Sequence, residues 1–221
     1  MGGASRRYHC RHYTLDQTNR HVLQCISRSQ KHFAWLDDDR RLKAKQSIKK
    51  GIDCILKCQI RVNGTLTGWC QQHDEVTFEA KPARTFELAS ICPQETASII
   101  EYLMTSEVRS RDTDAAINAA ATWLESVRIE GLRLEKIPAK EETFLRHKAD
   151  FDIIVVSDKQ AKPIWARHYE IGTDRPIFAG RDGIKKYNLS EIERERRTGT
   201  AWYGNWPGAV LAKHHAWTGK N

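Results

Sequence analysis

Arginines are concentrated in one turn-rich and aromatic stretch in the second half of the chain. A guanidinium group is a planar fork that grips a carboxylate or a phosphate with two parallel hydrogen bonds, and such groups are usually mounted on loops. We therefore expect several of these arginines to converge on an anion. They stand in four short segments: Trp165-Ala166-Arg167-His168-Tyr169, Thr173-Asp174-Arg175-Pro176, Gly180-Arg181-Asp182-Gly183 and Glu195-Arg196-Arg197-Thr198-Gly199.

Each arginine also has a simpler interpretation, as a solvated charge or as the partner of a carboxylate such as Asp174, Asp182 or Glu195. Aromatic neighbours favour the binding interpretation, because proteins hold sugars and bases with aromatic faces and arginine edges. The residues alone leave both interpretations open for any single arginine. The aromatic neighbours are Trp165, Tyr169, Trp202, Tyr203 and Trp206.

The overall charge points to the same kind of partner. The 221 residues include 36 Lys and Arg against 28 Asp and Glu, which leaves a formal net charge of +8. This surplus suits an anionic partner, and nucleic acid, phosphate and a polyuronate all qualify. We expect no nucleic-acid partner, because no helix-turn-helix, zinc or RNP pattern is recognisable, but a basic nucleic-acid-binding protein stays an alternative.

Composition excludes other classes. With 40% apolar and 29% charged residues the chain is typical of a soluble globular protein. No apolar run approaches the roughly 20 residues that cross a bilayer, and residues 1–12 lack the apolar stretch of about 7 residues or more that a secretion signal contains. We therefore expect no membrane partner, and no signal peptide is visible.

The six cysteines are too few for a dense disulfide framework. Cys54 and Cys58 stand four apart on a predicted helix, but no second Cys or His pair follows at zinc-finger spacing. We interpret them as buried small apolar residues, with a disulfide and a soft-metal site as the alternatives.

The periodicity of apolar residues predicts the elements that position these groups. Helices are predicted over 38–59, ending at the Asn63-Gly64 turn, over 93–104 and over 113–127. The charged, aperiodic stretch 136–148 is predicted to be a loop. A β-branched run predicts a strand over 151–156, followed by short strands and ordered loops to residue 187. The Asn188 cap, with Glu three residues on, predicts one short helix through Arg197.

Several long motifs taken together resemble the pectate lyases of polysaccharide lyase family 10. The resemblance extends from about Phe33 to Trp206. It is carried by Lys50–Gln59, Asn63-Gly64, Gly68-Trp69-Cys70-Gln71-Gln72-His73-Asp74, Lys81-Pro82-Ala83-Arg84 with Glu87-Leu88, Trp165-Ala166-Arg167, Tyr169-Glu170-Ile171-Gly172-Thr173, Arg175-Pro176-Ile177-Phe178, Gly180-Arg181-Asp182-Gly183 and Glu195-Arg196-Arg197-Thr198-Gly199.

The resemblance implies a mainly α fold, in which a partial α/α toroid stands beside a smaller β-containing region with the active cleft between them. Residues 1–150 would form the helical toroid portion, with a degenerate start over 1–32, and residues 151–221 the short-strand and loop region. The implied activity is calcium-dependent β-elimination on polygalacturonate (de-esterified pectate). Family members act in a secreted or periplasmic location.

The resemblance also implies roles for individual residues. Arg84 stands where the family has its catalytic base. An arginine is ordinarily protonated, so Lys81, whose intrinsic pKa is lower, is the fallback base, and Arg84 as a partner of Glu87 or Asp74 is a further alternative. The substrate-binding residues carried over from the motifs are Arg167, Arg181, Arg196 and Asp74.

The start of the chain departs from the family pattern. Of the two motifs that build the calcium site, the first has no room, and only Asp16 survives from the second as a possible Ca²⁺ ligand. Calcium takes 6 to 8 oxygen ligands, which one carboxylate cannot supply. We therefore expect poor turnover, and a catalytically impaired pectate-binding fragment is the main alternative to an active lyase.

Overall fold

The computed structural model describes residues 34–218, and five α-helices lie in this range. The first, α1, begins where the side chain of Asp37 accepts a hydrogen bond from the backbone N–H of Arg40 at 2.8 Å. Its apolar residues repeat at helical spacing, and Ile48, Ile52 and Ile55 are buried on one face. The helices are α1 Asp38–Cys58, α2 Pro93–Thr105, α3 Arg111–Ser126, α4 Arg194–Gly199 and α5 Gly208–Thr218.

Strands β1 and β2 form a small hairpin directly after α1. They span Arg61–Val62 and Thr65–Leu66, and the turn between them uses left-handed backbone at Asn63 (φ 50°) and Gly64 (φ 83°). Two such residues in succession make the turn that matches the twist of paired strands. The predicted helix over 38–59 is confirmed within one residue, but the Asn-Gly turn does not end it, because β1 lies between Cys58 and the turn.

The two central helices, α2 and α3, supply much of the core. Proline occupies the first turn of α2, where its missing N–H is not needed, and Ser110 forms a reciprocal capping box with Thr113 at the start of α3. Both predicted helices are confirmed within two residues at each end. Their inner faces meet in a cluster that includes Ile99, Ile100, Leu103, Ile117, Ala120 and Leu124.

A long antiparallel ribbon follows α3. Strand β3 spans Leu132–Thr143 and strand β4 spans Lys148–Ser157. The predicted loop over 136–148 is therefore wrong, since most of it lies in β3. Neither face of β3 is fully buried, so its polar residues gave no two-residue alternation of apolar side chains.

The rest of the second half is built from short strands and ordered loops, as predicted. The Asn188 cap starts only a 3₁₀ turn, Leu189–Glu191, and α4 begins separately at Arg194, so the single predicted helix is two elements. The strands β5 Trp165–Ala166 and β8 Tyr203–Gly204 pair with each other, as do β6 Phe178–Ala179 and β7 Lys185–Lys186.

Two aromatic side chains fix the arginine-bearing segment against the helices. The indole Nε1–H of Trp165 donates to the carbonyl of Leu124 at 2.7 Å, and the hydroxyl of Tyr169 donates to the carbonyl of Val127 at 2.8 Å. Both rings are almost fully buried. The backbone of Arg167, which lies midway between Trp165 and Tyr169, is thereby held in a fixed place relative to α3.

The predicted fold class is wrong. Of the described residues 38% are helical and 22% are in strands, and no α/α toroid is present among residues 34–218. The prediction failed because most strands are two residues long and the ribbon has no apolar face. The division of the chain at residue 150 stays a prediction.

Two further features of the described residues concern membrane spans and cysteines. Within residues 34–218, no helix is both long and apolar enough to cross a membrane. The cysteines of that range, Cys54, Cys58, Cys70 and Cys92, are free thiols, and all but the half-buried Cys54 are buried.

Candidate functional site

A cavity of about 730 Å³ lies where the loop 83–87 meets the arginine-bearing segments of the second half. This volume is in the range of ligand sites. The cavity brings together four predicted site residues, Arg84, Arg167, Arg181 and Arg196. The expected cleft beside a toroid is thus replaced by a cavity among loops, α4 and the ribbon tip. The other lining residues are Ala83, Thr85, Phe86, Glu87, Arg146, His147, His168, Glu195, Gly199, Thr200, Ala201 and Trp202.

The charge of the lining is strongly positive. Five arginines face two glutamates, Glu87 and Glu195, which leaves a formal charge of +3 when the two histidines are neutral. Positive charge within a concave, partly desolvated surface attracts anions more strongly than the same charge on an open surface. The cavity is therefore suited to a ligand with more than one carboxylate or phosphate group.

The most unusual group in the cavity is Arg196, on α4. Its side chain is buried, and the residue is 8% exposed. One Nη2–H donates to the hydroxyl of Thr200 at 2.7 Å, and the guanidinium lies 3.7 Å from the centroid of the Phe86 ring. The Nε–H is buried without a hydrogen-bond partner, and no carboxylate among residues 34–218 forms an ion pair with this arginine.

The surroundings of Arg196 make its charge costly. Burial, followed by the positive charges of Arg181 and Arg84, lowers the pKa of Arg196 from its ordinary value. An unpartnered buried donor is rare in folded proteins and often marks a place where a ligand supplies the missing acceptor. An anion bound here would restore both the hydrogen bond and the charge balance.

Arg181, in contrast, is neutralised by a bidentate ion pair. Its Nε–H donates to a carboxylate oxygen of Glu195 at 2.7 Å, and Nη2 donates to the other oxygen. These hydrogen bonds raise the pKa of Arg181. The backbone approaches closely here, because a Cβ at Gly180 would lie 1.9 Å from a carboxylate oxygen of Glu193. Glycine at this position thus lets Glu193 accept from the backbone N–H of Arg181 at 2.9 Å.

Arg84 is paired in the same way, with Glu87. The Nε–H donates to the carboxylate at 2.7 Å, Nη2 donates to its second oxygen, and the tight turn is closed by the N–H of Glu87, which donates to the carbonyl of Arg84 at 2.7 Å. The hydrogen bonds to Glu87 raise the pKa of Arg84. Burial opposes ionisation of Glu87, but the hydrogen bonds from Arg84 outweigh it and lower the pKa of that carboxyl.

This pairing has a direct consequence for the predicted base. A base must hold a lone pair, and a raised pKa suppresses the neutral guanidine form that would provide one. In the arrangement of this structure Arg84 is an anion-binding cation. It could accept a proton only after its bond to Glu87 is exchanged for another contact.

Arg167 and His168 also line the cavity. The backbone N–H of Arg167 donates to the carbonyl of Trp202 at 2.7 Å, and its Nη1 donates to the side-chain oxygen of Gln94 at 3.3 Å. His168 is buried, and its Nδ1 is hydrogen-bonded to the hydroxyl of Ser90 at 2.9 Å. Burial, reinforced by the charge of Arg167, lowers the pKa of His168 to about 3, so the imidazole is neutral near pH 7.

The structure places two predicted residues away from the cavity lining. The ammonium of Lys81 donates to the carboxylate of Glu79 at 3.2 Å, and Lys81 does not line the cavity. The carboxylate of Asp74 accepts from the backbone N–H groups of Val76 and Thr77, both at 2.9 Å. These hydrogen bonds, that of Thr77 first, lower the pKa of Asp74.

The described residues do not fit a calcium site. No group of three or more His, Cys, Asp or Glu side chains within residues 34–218 could hold a metal ion. The glutamates in the cavity lining, Glu87 and Glu195, are occupied by arginine forks. The predicted ligand, Asp16, lies outside the described residues.

The sequence identified Glu195 as a possible partner of an arginine without showing which one, and it gave no role to the lining residues Arg146 and His147. Glu195 precedes Arg196 in the sequence, yet it pairs with Arg181, fourteen residues away, and no local pattern encodes that choice. Arg146 lies in the stretch 136–148, which was predicted to be a loop and carries no family motif. There is no local signal because these contacts form only when α4 packs against the loop that carries Arg181 and against the ribbon.

Comparison with known proteins agrees with the motifs. A profile of the family described as pectic acid lyase matches residues 7–211. The structure is similar to a family 10 polysaccharide lyase from Cellvibrio cellulosa, with a TM-score of 0.79 and 28% identity, covering 99% of this chain and 64% of that one. A mutant of the family 10 lyase from the same organism, in complex with trigalacturonic acid, gives a TM-score of 0.77 at 28% identity.

That second match covers 98% of this chain and again 64% of the other. This chain therefore spans less than two thirds of the length of these solved lyases. The search of curated proteins gave no match.

Proposed function

Since the chain belongs to the pectic acid lyase family, polysaccharide lyase family 10, we propose that it binds polygalacturonate and cleaves it by calcium-dependent β-elimination. The family resemblance drawn from the motifs is confirmed by the match over residues 7–211. The activity is a proposal, because the chain spans 64% of the solved lyases that it matches.

The observation that supports the proposal best is the buried Nε–H of Arg196, which has no acceptor, in a cavity lining of formal charge +3. Polygalacturonate is a chain of sugars that each carry a carboxylate. A carboxylate at this position would accept from the orphan Nε–H, and Arg167 lies in the same lining to hold the charge. The half-buried Phe86 supplies an aromatic surface of the kind that sugar rings prefer.

The chemistry of elimination explains why such cations are needed. Removing the proton α to a uronate carboxylate spreads negative charge onto a group that is already an anion, so the transition state resembles a dianion. The base takes this proton, and the electron pair of the broken C–H bond forms a double bond to the β-carbon. The bond from the β-carbon to the glycosidic oxygen breaks, and that oxygen leaves with its sugar and takes up a proton from water. Fixed guanidinium groups stabilise this developing charge without reorganisation during the reaction.

Arg84 is the proposed base, with Glu87 controlling its availability. A substrate carboxylate competes with Glu87 for the guanidinium of Arg84. Substrate binding can therefore break the bond between Arg84 and Glu87 and free the guanidinium. Lys81 stays the fallback base, although its ammonium lies outside the cavity lining and would have to leave Glu79.

Calcium dependence is part of the proposal as a family expectation. The described residues do not supply a cation site, so no step of the mechanism is derived through the metal. The proposed location is secreted or periplasmic, where the polymeric substrate is accessible, and fractionation of the producing cells would test it.

One observation favours a second candidate, binding of pectate without turnover. Arg84 is tied to Glu87, and residues 34–218 hold no metal-binding group of side chains. Both features leave the arginine contacts intact while weakening catalysis. This candidate predicts ordinary affinity for polygalacturonate with no release of unsaturated product.

The experiment that tests the function measures the ultraviolet absorbance of unsaturated ends released from polygalacturonate, with added Ca²⁺ and with a chelator. Calcium-stimulated absorbance is expected of an active lyase. Binding in a calorimeter without absorbance would support the second candidate. Reducing ends without absorbance would indicate hydrolysis, and salt-sensitive binding of DNA or RNA with none of polygalacturonate would contradict both candidates.

A further inference from the structure

The tip of the β3–β4 ribbon reaches the cavity and carries an arginine without an assigned role. The N–H of Phe144 donates to the carbonyl of His147 at 2.8 Å, which closes the tip into a tight turn around Leu145 and Arg146. Arg146 and His147 both line the cavity. The tip therefore adds a fifth arginine to the lining.

This tip is held in place by the helix that carries Arg196. The imidazole Nε2 of His147 is hydrogen-bonded to the hydroxyl of Thr198 on α4 at 2.8 Å. Arg194, also on α4, donates through Nη2 to the carbonyls of Lys140 at 2.7 Å and Ala149 at 2.8 Å, one on each side of the tip. These bonds join the ribbon tip and α4 in one frame.

Arg146 differs from the paired arginines of the cavity. Arg84 and Arg181 each grip a glutamate, whereas Arg146 is exposed and makes no ion pair with any carboxylate of residues 34–218. Its neighbour Lys148 is equally exposed but does not line the cavity. Arg146 and Lys148 therefore carry the same charge at nearly the same place in the sequence, but only Arg146 lines the cavity.

We propose that Arg146 forms an outer subsite that binds a second carboxylate of the same uronate chain whose first carboxylate lies at Arg196. The inference rests on the proposed function, since it requires a polyuronate ligand. It adds to that function a contact from the ribbon, so that affinity should depend on the number of sugars. The buried Arg196 site and the exposed tip would then hold different sugars of one oligomer.

The expected effect follows from the exposure of the group. An exposed ion pair contributes little, but a guanidinium fork that faces a concave, positive lining is expected to contribute roughly 3- to 10-fold in affinity. The ligand must reach both subsites to gain this contribution. A single galacturonate should therefore bind wild type and Arg146→Gln equally.

The test is a calorimetric titration of Arg146→Gln with hexagalacturonate, and a nuclear magnetic resonance titration with galacturonate for the weak monomer. We expect the hexamer to bind about 3- to 10-fold more weakly and the monomer to be unaffected. Lys148→Gln is the matched control, because it removes the same charge from the same tip outside the cavity lining. It should bind the hexamer like wild type.

Two results would overturn the outer subsite while leaving the proposed function intact: hexamer affinity unchanged in Arg146→Gln, or an equal loss in Lys148→Gln, which would indicate a general field effect. Wild-type protein that binds neither ligand would contradict the proposed function and the outer subsite together. The circular dichroism of all variants should match wild type, because neither side chain packs in the core.

Discussion

Replacing Arg196 by methionine should make the protein more stable and weaken its affinity for polyuronate. The side chain is buried without a carboxylate partner, and burial lowers its pKa, which means that the folded protein carries an uncompensated charge. Functional sites often keep such unfavourable groups because the ligand needs them. Methionine has similar length, no charge, and a sulfur atom that packs well against the Phe86 ring.

The magnitude follows from the contacts that are lost and gained. A buried charged donor without a partner costs roughly 1–3 kcal/mol, and the hydrogen bond to Thr200 returns about 1 kcal/mol. The stacking on Phe86 is largely retained, since sulfur–aromatic contacts of about 0.3–1.5 kcal/mol replace a cation–π contact of about 0.5–2 kcal/mol. The net expectation is a gain of about 1 kcal/mol, or roughly 2–4 °C in Tm for a chain of this length.

Thermal unfolding and calorimetric titration with trigalacturonic acid measure the two effects. The affinity should fall by roughly 10- to 100-fold, which corresponds to one charged hydrogen bond of about 1.5–3 kcal/mol. Arg197→Met is the matched control on the same helix. It removes the partner of the poorly exposed Asp152, bonded at 2.8 Å through Nε, and should lower Tm. An Arg196→Met protein that loses stability and binds trigalacturonic acid normally would show that Arg196 is a structural residue and does not anchor the ligand.

Three other predictions concern the groups around this arginine. Glu87→Gln should lower the pKa of Arg84 by removing the carboxylate that raises it. The rising limb of the pH–rate profile, where a base loses its proton, should then move to lower pH, and an unmoved limb would argue against Arg84 as base. Phe86→Leu should weaken trigalacturonate binding about 3- to 10-fold in calorimetry, because it removes the ring that the guanidiniums of Arg84 and Arg196 contact. Phe86→Tyr keeps a ring and should bind like wild type. Equal affinity of all three proteins would exclude a role of the ring in binding. The pKa of His168 is about 3 in the folded protein and about 6.5 in the unfolded one, so the unfolded state binds more protons between these values. The contribution of His168 to stability is therefore complete above pH 6.5 and falls by about 1.4 kcal/mol per pH unit below it. Urea unfolding should show this slope, and His168→Phe should reduce it.

Local elements of the fold could be predicted because their signals are local. The isoleucines of α1 repeat with the helical period, and Asn63-Gly64 has the backbone freedom that a tight turn requires. The fold class could not be predicted in this way. The ribbon is half-exposed on both faces, so it has no periodic apolar signal. Its two consecutive strands are held by hydrogen bonds to each other and by the anchors from Arg194.

The site was predictable to the level of residue type but not of pairing. The motifs identified the four arginines that the cavity brings together. They could not show that Arg84 and Arg181 are neutralised while Arg196 is not, because that difference depends on where Glu87 and Glu195 point after folding. The turn bonds of Asp74 likewise direct its carboxylate to its own backbone, as Asp often does in loops.

The proposed function depends most on the buried Nε–H of Arg196, which has no acceptor and is inferred to anchor a uronate carboxylate. A crystal structure of the protein with trigalacturonic acid tests this inference. We expect a carboxylate oxygen about 2.7–2.9 Å from Nε of Arg196, within the cavity that Arg167 and Phe86 also line. A bound oligosaccharide outside this cavity, with the Nε–H of Arg196 still without an acceptor, would contradict it.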